Sequence, residues 1–349
     1  MHHHPTIVLS QVTDQLLKIS ILALLAFLLA MALTPIYTFF AYRYRFWKKQ
    51  RQTDTSGKQL KVFTKLHAEK FKRHIPTMAG MIFVLAIAII TLLLNLDREQ
   101  TWLPLAALLG GAAVGLIDDI INLKGEGGGV AGLRSSVKFL LITLVGLVGA
   151  WFFFDKLGYD QVMVPFVGLI TIGWWIVPLF VLAVVSTGNA VNISDGLDGL
   201  SGGLIVSAYS FFAAIALLQG NFGIAGFCFT VVGAMLSYLW FNIHPARFFM
   251  GDVGSFALGT SLGVVAMLTN SILLLPVIGL VFVVETGSSL LQILSKKFLG
   301  RRIFISAPLH QHFEATGWPE TKVTMRFWVI GGVVGFLGLL LALAGGSVK

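Results

Sequence analysis

Apolar segments of bilayer-crossing length recur from one end of this sequence to the other, and they restrict its fold more than any other feature. They lie at about 16–41, 75–96, 101–117, 137–154, 166–188, 201–219, 223–241, 253–270, 272–295 and 326–344. A helix needs roughly 20 apolar residues to cross the hydrocarbon core. Within lipid a helix satisfies its own backbone hydrogen bonds, which an open sheet cannot. Only 12% of residues are charged, against about 25% in soluble domains. A water-soluble fold is therefore excluded, and the expectation is an all-α polytopic membrane protein with ten spans in a single domain. Cys228 is the one cysteine, so internal disulfides and multi-cysteine metal sites are excluded as well.

Charge orients the spans. Of the 25 Lys and Arg, 21 fall on one alternating set of connections, eleven of them in 42–74. The positive-inside rule makes that face cytoplasmic, and ten spans then leave both termini on the outer, periplasmic side. Connections at about 42–74, 118–136, 189–200, 242–252 and 296–325 are expected to form the site. The basic first loop reads as a topogenic segment able to attract anionic lipid. It is not a folded basic domain, so no nucleic-acid partner is expected. His2, His3 and His4 read as a tag remnant or frayed end, and no cleavable signal peptide is expected.

The acids of the basic face are clustered. Asp118 and Asp119 end the third span, Asp195 and Asp198 follow the fifth, and Asp252 opens the eighth between Gly251 and Gly254. Carboxylates at a membrane edge are costly without partners and so mark function. Together they suit Mg²⁺, which takes one or two carboxylates plus water and substrate phosphate oxygens. If the segment from 189 onward is helical, Asn189, Asn192 and Asp195 share a face and Asp198 continues it. Gly196 and Gly199 interrupt that stripe and permit a turn. Asp252 is expected at a helix N-terminus, where backbone N–H groups suit phosphate. Phe249 offers a surface for a base, or simple interface packing.

His310, His312 and Glu314 occupy the last basic loop. Two histidines two residues apart need a turn or extended backbone to meet one ligand. A zinc site is one reading, and contact with an anionic substrate is the preferred one. Glu285, alone in its span, is expected to hydrogen-bond between helices.

Five strings in order carry a resemblance. GLIDDIINLKG, NAVNISDGLDGLSGG, FNIHPARFFMGDVGS and APLHQHFEATGWPE, with the stretch from Lys72 through Pro76, Thr77 and Met78 to Gly80, resemble the MraY family, the phospho-N-acetylmuramoyl-pentapeptide transferases. The match runs from about residue 60 to 328. The aspartate strings are shared with the wider superfamily of polyprenyl-phosphate sugar-1-phosphate transferases, and the histidine loop followed by GWPE points to this branch.

The resemblance implies a homodimer of ten-span subunits in the bacterial inner membrane, with a cytoplasmic cleft. It implies Mg²⁺-dependent transfer from UDP-MurNAc-pentapeptide to undecaprenyl phosphate, releasing UMP, the first membrane step of peptidoglycan synthesis. By motif position Asp252 is the implied metal ligand, and Asp118 activates the lipid phosphate with Asp119 beside it. Asn189, Asn192 and Asp195 line the site, and Gly196, Leu197, Asp198 and Phe249 hold uridine with Asn242 at its edge. His310 and His312 contact nucleotide or sugar, and Lys138 matches a lysine of the family. Departures are Gln311 for the middle histidine, Asn122 for a usual lysine, Ala79 for a glycine, and the glycine-rich run 125–129. Two alternatives remain: a sister transferase using UDP-N-acetylglucosamine or another UDP-amino sugar, and an ion-coupled transporter. A transporter should carry acids near the bilayer midplane, whereas all but Glu285 lie at span ends.

Overall fold

The computed structural model describes residues 5–47, 74–125 and 132–348, with side chains from Val12 onward. Most of the basic first loop, with Lys72 and Arg73, lies outside the described residues, as do His2–His4 and the glycines of 127–129. The chain is overwhelmingly helical. Its helices are α1 (Pro5–Arg43), α2 (Gly80–Leu94), α3 (Trp102–Lys124), α4 (Ser135–Trp151), α5 (Ile176–Ser194) and α6 (Leu200–Leu218). They continue with α7 (Phe222–Asn242), α8 (Gly251–Leu268), α9 (Leu275–Ile278), α10 (Leu280–Phe298), α11 (Leu309–Ala315) and α12 (Glu320–Ala344). Eight described segments are long and apolar enough to cross a membrane, and a ninth is formed by a pair bent by 80°.

The centre of the bundle is α8, packed most closely against α3 and α5. Every residue of α8 except Asp252 is buried. Small side chains allow this: without a hydrophobic drive between helices in lipid, close backbone approach supplies the packing energy. Gly115 of α3 shows how close, because a Cβ there would collide with the Asp252 carbonyl. The same approach places the end of α3, carrying Asp118 and Asp119, against the start of α8.

Four segments differ from the sequence expectation. The second apolar segment yields a helix of only 15 residues, about 22 Å long at the usual rise. Its missing length is supplied by the irregular run 74–79, whose polar backbone is satisfied within the protein. Phe249 N–H donates to the Pro76 carbonyl (2.8 Å), Ala79 N–H to Phe249 (3.0 Å) and Gly80 N–H to Met250 (2.9 Å). Non-helical backbone is tolerated at membrane depth when protein buries it in this way.

The fifth segment begins later than expected. Residues 161–171 form an antiparallel hairpin, β1 (Gln161–Val164) and β2 (Gly168–Thr171), in which Val162 pairs with Ile170. Asn270 accepts from Met163 N–H (2.8 Å), and the Gly345 carbonyl accepts from Phe166 N–H (3.0 Å), so the hairpin caps the end of the bundle away from the acids. Its Val, Ile and Leu residues read as a continuation of the apolar run.

The ninth segment is broken at Gly279, and α10 leaves the line of α9 at the 80° bend. The buried residues of α10 are Val281, Phe282, Glu285, Ser288, Gln292 and Ser295, a face repeating every three or four residues. Finally, α3 runs on through Asp118 and Asp119 to Lys124, and α5 through Asn189 and Asn192 to Ser194. Parts of two expected connections, 118–124 and 189–194, are therefore helix.

Candidate active site

Three separate segments meet at one cation. Lys138, in the first turn of α4, places Nζ 3.0 Å from Asp118 Oδ2 and 3.1 Å from Asp252 Oδ2. Asp118 is almost wholly buried, while Asp252 keeps 13% of its side-chain surface exposed, so the cluster has one accessible rim. The Leu133 N–H donates to Asp118 Oδ1, which fixes the carboxylate from the α3–α4 connection. Asp119 points the other way: it is fully buried and accepts the Val253 N–H through Oδ2 (3.0 Å). That contact stabilises the first turn of α8, where orphan N–H groups favour an acid. Asp119 thus ties α3 to the start of α8, and Asp118 is the one of the two acids that pairs with the Lys138 ammonium.

Asn192 reaches the same helix start, donating from Nδ2 to Ser255 Oγ (2.8 Å). Asn189 is turned back on α5 and donates to the Val185 carbonyl (2.8 Å). Asp195 sits at the C-cap, with φ −83° and ψ 53°, so the helical face ends there. The expectation that Asp198 continues this stripe is corrected, because the chain turns before reaching it.

Asp198 instead joins a second cluster. Its Oδ2 accepts the Ala246 N–H (3.1 Å) and lies 3.0 Å from His244 Nδ1, while its backbone N–H donates to Glu320 Oε1 (2.5 Å). Oxygen and nitrogen ligand atoms of Asp198, His244 and Glu320 lie within 4.8 Å of one another, a spacing compatible with a cation. Gly199 takes φ +75°, the left-handed conformation that glycine adopts without strain. Its N–H donates to Asn242 Oδ1 (3.0 Å), and Asn242 donates in turn to the Phe248 carbonyl (2.9 Å). From α12, Thr324 hydroxyl donates to the Asp198 carbonyl (3.3 Å) and Trp328 Nε1 to the Gly199 carbonyl (3.1 Å). Glu320, Thr324 and Trp328 are four residues apart, so one helix face holds the whole 198–199 turn. Sequence reasoning named Asp198 and Asn242 but not His244, Glu320, Thr324 or Trp328. The four-residue spacing was legible; its partner was not.

The histidines do not converge. His310 and His312 lie on the short helix α11, which sends adjacent even-numbered side chains apart. His312 Nδ1 accepts from the Ile305 N–H (3.3 Å), and Gln311 accepts from Ser306 (2.9 Å). Among the described residues no zinc-like grouping of His310, His312 and Glu314 forms. His310 is fully buried and pairs with Glu285, Nδ1 to Oε2 at 2.6 Å. Glu285 does bind across elements as expected, but to a loop helix rather than to another span. Phe249 is half-buried, its backbone tied to Pro76 and Ala79.

Asp118 and Asp252, both on one ammonium and one of them accessible, make an oxygen-only pair that a magnesium ion favours. The pair sits on helices long and apolar enough to cross a membrane, and the model of glycosyl transferase family 4 matches residues 101–270. The chain is 38% identical over 341 residues to the phospho-N-acetylmuramoyl-pentapeptide-transferase of Chloroflexus aggregans, covering 94% of this chain and 90% of the relative. The enzyme of the same name from Chloroflexus aurantiacus is 40% identical over 337 residues, covering 93% and 89%. That of a Geobacillus strain is 36% identical over 334 residues, covering 94% and 98%. The chain belongs to the phospho-N-acetylmuramoyl-pentapeptide-transferase family.

Proposed function

We propose that this chain transfers phospho-MurNAc-pentapeptide from UDP to undecaprenyl phosphate and releases UMP, at the cytoplasmic leaflet of the bacterial inner membrane. The observation that carries the reading is the convergence of Asp118, Lys138 and Asp252, from three helices, at the basic end of the bundle. Phosphoryl transfer depends mainly on positioning and on neutralising charge. Asp252, with Asp118 beside it, would hold Mg²⁺, which when bound neutralises charge building on the diphosphate. Lys138 adds a fixed ammonium to the same rim. Asp118 orients the acceptor phosphate, whose second ionisation near pH 6 already makes it a competent nucleophile, so little proton removal is required. The turn Gly196–Leu197–Asp198, held by Asn242 and α12, supports the uridine, with Phe249 as a flat apolar wall.

The acceptor tail needs a path from lipid to this rim. An apolar groove of about 320 Å³ runs between α5, α8, α9 and α10, and its lining includes Ala190 and Val191, the neighbours of Asn189 and Asn192. A phosphorylated isoprenoid lying there brings its headgroup to the acids while its tail stays in lipid.

The test uses the purified full-length protein with undecaprenyl phosphate and, separately, UDP-MurNAc-pentapeptide and UDP-N-acetylglucosamine. Mass spectrometry of the lipid product is expected to show a muramoyl-pentapeptide diphospholipid, Mg²⁺-dependent and accompanied by UMP. Product from the N-acetylglucosamine donor alone would replace this donor assignment, and no lipid product from either would remove the reading.

A further inference from the structure

The buried pair Glu285–His310 lies outside the cluster of acids, and its geometry has a direction. Both side chains are fully buried. Glu285 spends its two oxygens on one residue: Oε1 accepts the His310 backbone N–H (3.0 Å), and Oε2 lies 2.6 Å from His310 Nδ1. One carboxylate thus fixes both the position of the residue and the rotation of its ring. With Glu285 as a carboxylate, which only accepts, the hydrogen of this contact sits on Nδ1.

The other ring nitrogen, Nε2, is buried and has no hydrogen-bond partner among the described residues. Burying such an atom without a partner is costly. It abuts Gly196, where an added Cβ would collide with it. Gly196 lies between Asp195 and the held turn at Asp198, so the orphaned nitrogen faces the segment assigned to the nucleotide sugar. The remainder of α10 strengthens the arrangement. Gln292 Oε1 accepts from the Ile303 and Phe304 N–H groups (both 3.1 Å), and Ser295 donates to the Arg301 carbonyl (2.7 Å). The polar face of α10 thereby docks the loop that delivers α11, and Glu285 is its last and deepest contact.

We infer that Glu285 is a positioning residue of the transferase: it acts through His310, aiming Nε2 past Gly196 at the nucleotide-sugar donor. This rests on the donor assignment made above. Glutamine at 285 keeps the size but cannot accept from both N–H groups at once, because one of its two terminal atoms is a donor. Aspartate keeps the charge on a shorter arm.

The experiment combines ¹⁵N-histidine NMR with donor kinetics on full-length protein, comparing wild type with Glu285→Gln, Glu285→Asp, His310→Ala and the double variant Glu285→Gln/His310→Ala. In the wild type, the His310 signals are expected to show a protonated Nδ1, and Nε2 is expected to shift when donor is added. Glu285→Gln is expected to lose the Nδ1 signature and raise donor KM about tenfold while altering kcat less, with Glu285→Asp partly restoring both. In the His310→Ala background, Glu285→Gln should have no further effect on KM, because a residue acting only through another gives a fully non-additive cycle. Additive effects, an unchanged donor KM in a folded Glu285→Gln, or a wild-type Nδ1 without hydrogen would overturn the inference. If Glu285→Gln does not fold, the wild-type Nδ1 and Nε2 signals decide alone. Wild type that releases no UMP from either donor would instead refute the functional reading, and the Nδ1 signal still reports on the pair.

Discussion

At the scale of single residues, two adjacent acids have opposite duties. Asp118 faces the Lys138 ammonium, and Asp119 accepts the Val253 N–H from α8. Asp118→Asn and Asp252→Asn are each expected to lower UMP release by about 100-fold or more, the scale of losing a charge-stabilising group. Both should elute as folded protein in size-exclusion chromatography, since asparagine keeps the volume; full turnover in either variant would remove that residue from the chemistry. Gly196 offers a sharper probe, because its only lack is a Cβ. Gly196→Ala must displace the buried His310 ring, so donor KM is expected to rise about tenfold and the melting temperature, read by differential scanning fluorimetry, to fall.

At the scale of elements, α12 is more than a terminal span. Its Glu320, Thr324 and Trp328 occupy the backbone groups of Asp198 and Gly199. A hydrogen bond to a charged group contributes about 1.5–3 kcal/mol, so Glu320→Ala should lower stability by an amount of that order. An effect is also expected in binding: donor affinity by calorimetric titration should weaken several-fold, and Trp328→Phe, which keeps an aromatic ring but removes the N–H and part of the indole, should weaken it too. Unchanged donor affinity in both variants would show that the turn holds itself. The break at Gly279 works on the same scale, since it turns the polar face of α10 toward the histidine loop.

At the scale of the whole molecule, the bundle gathers its chemistry at one end and a β-hairpin at the other. The proposed orientation places the first in the cytoplasm and the hairpin, with both termini, outside. Cys228 is fully buried, so single cysteines introduced on a Cys228→Ala background report position. A cysteine at Trp174, beside the hairpin, is expected to react with an impermeant maleimide in intact spheroplasts. One at Ile303 should react only after the membrane is opened, and the reverse pattern would invert the topology. Homodimer formation, expected from the family, is read by native mass spectrometry of detergent-solubilised protein.

The sequence by itself determined the membrane class, the helical architecture and the residue types of the site, because hydropathy, charge asymmetry and the order of motifs are properties of the linear chain. Asp118, Asp252 and Lys138 were all legible as candidates. That Asp118 and Asp252 share one ammonium while Asp119 braces a helix was decided only by tertiary structure: neighbouring side chains on a helix point about 100° apart, and which one faces the cation depends on how α3 meets α8. The hairpin at 161–171 and the broken span at Gly279 escaped for a related reason, since a hydropathy average records how apolar a stretch is and not the direction of its backbone. Glu285 illustrates the limit most clearly. A lone buried acid announces that it needs a partner, but His310 lies 25 residues further along the chain, and only the docking of the intervening loop on α10 brings the two together.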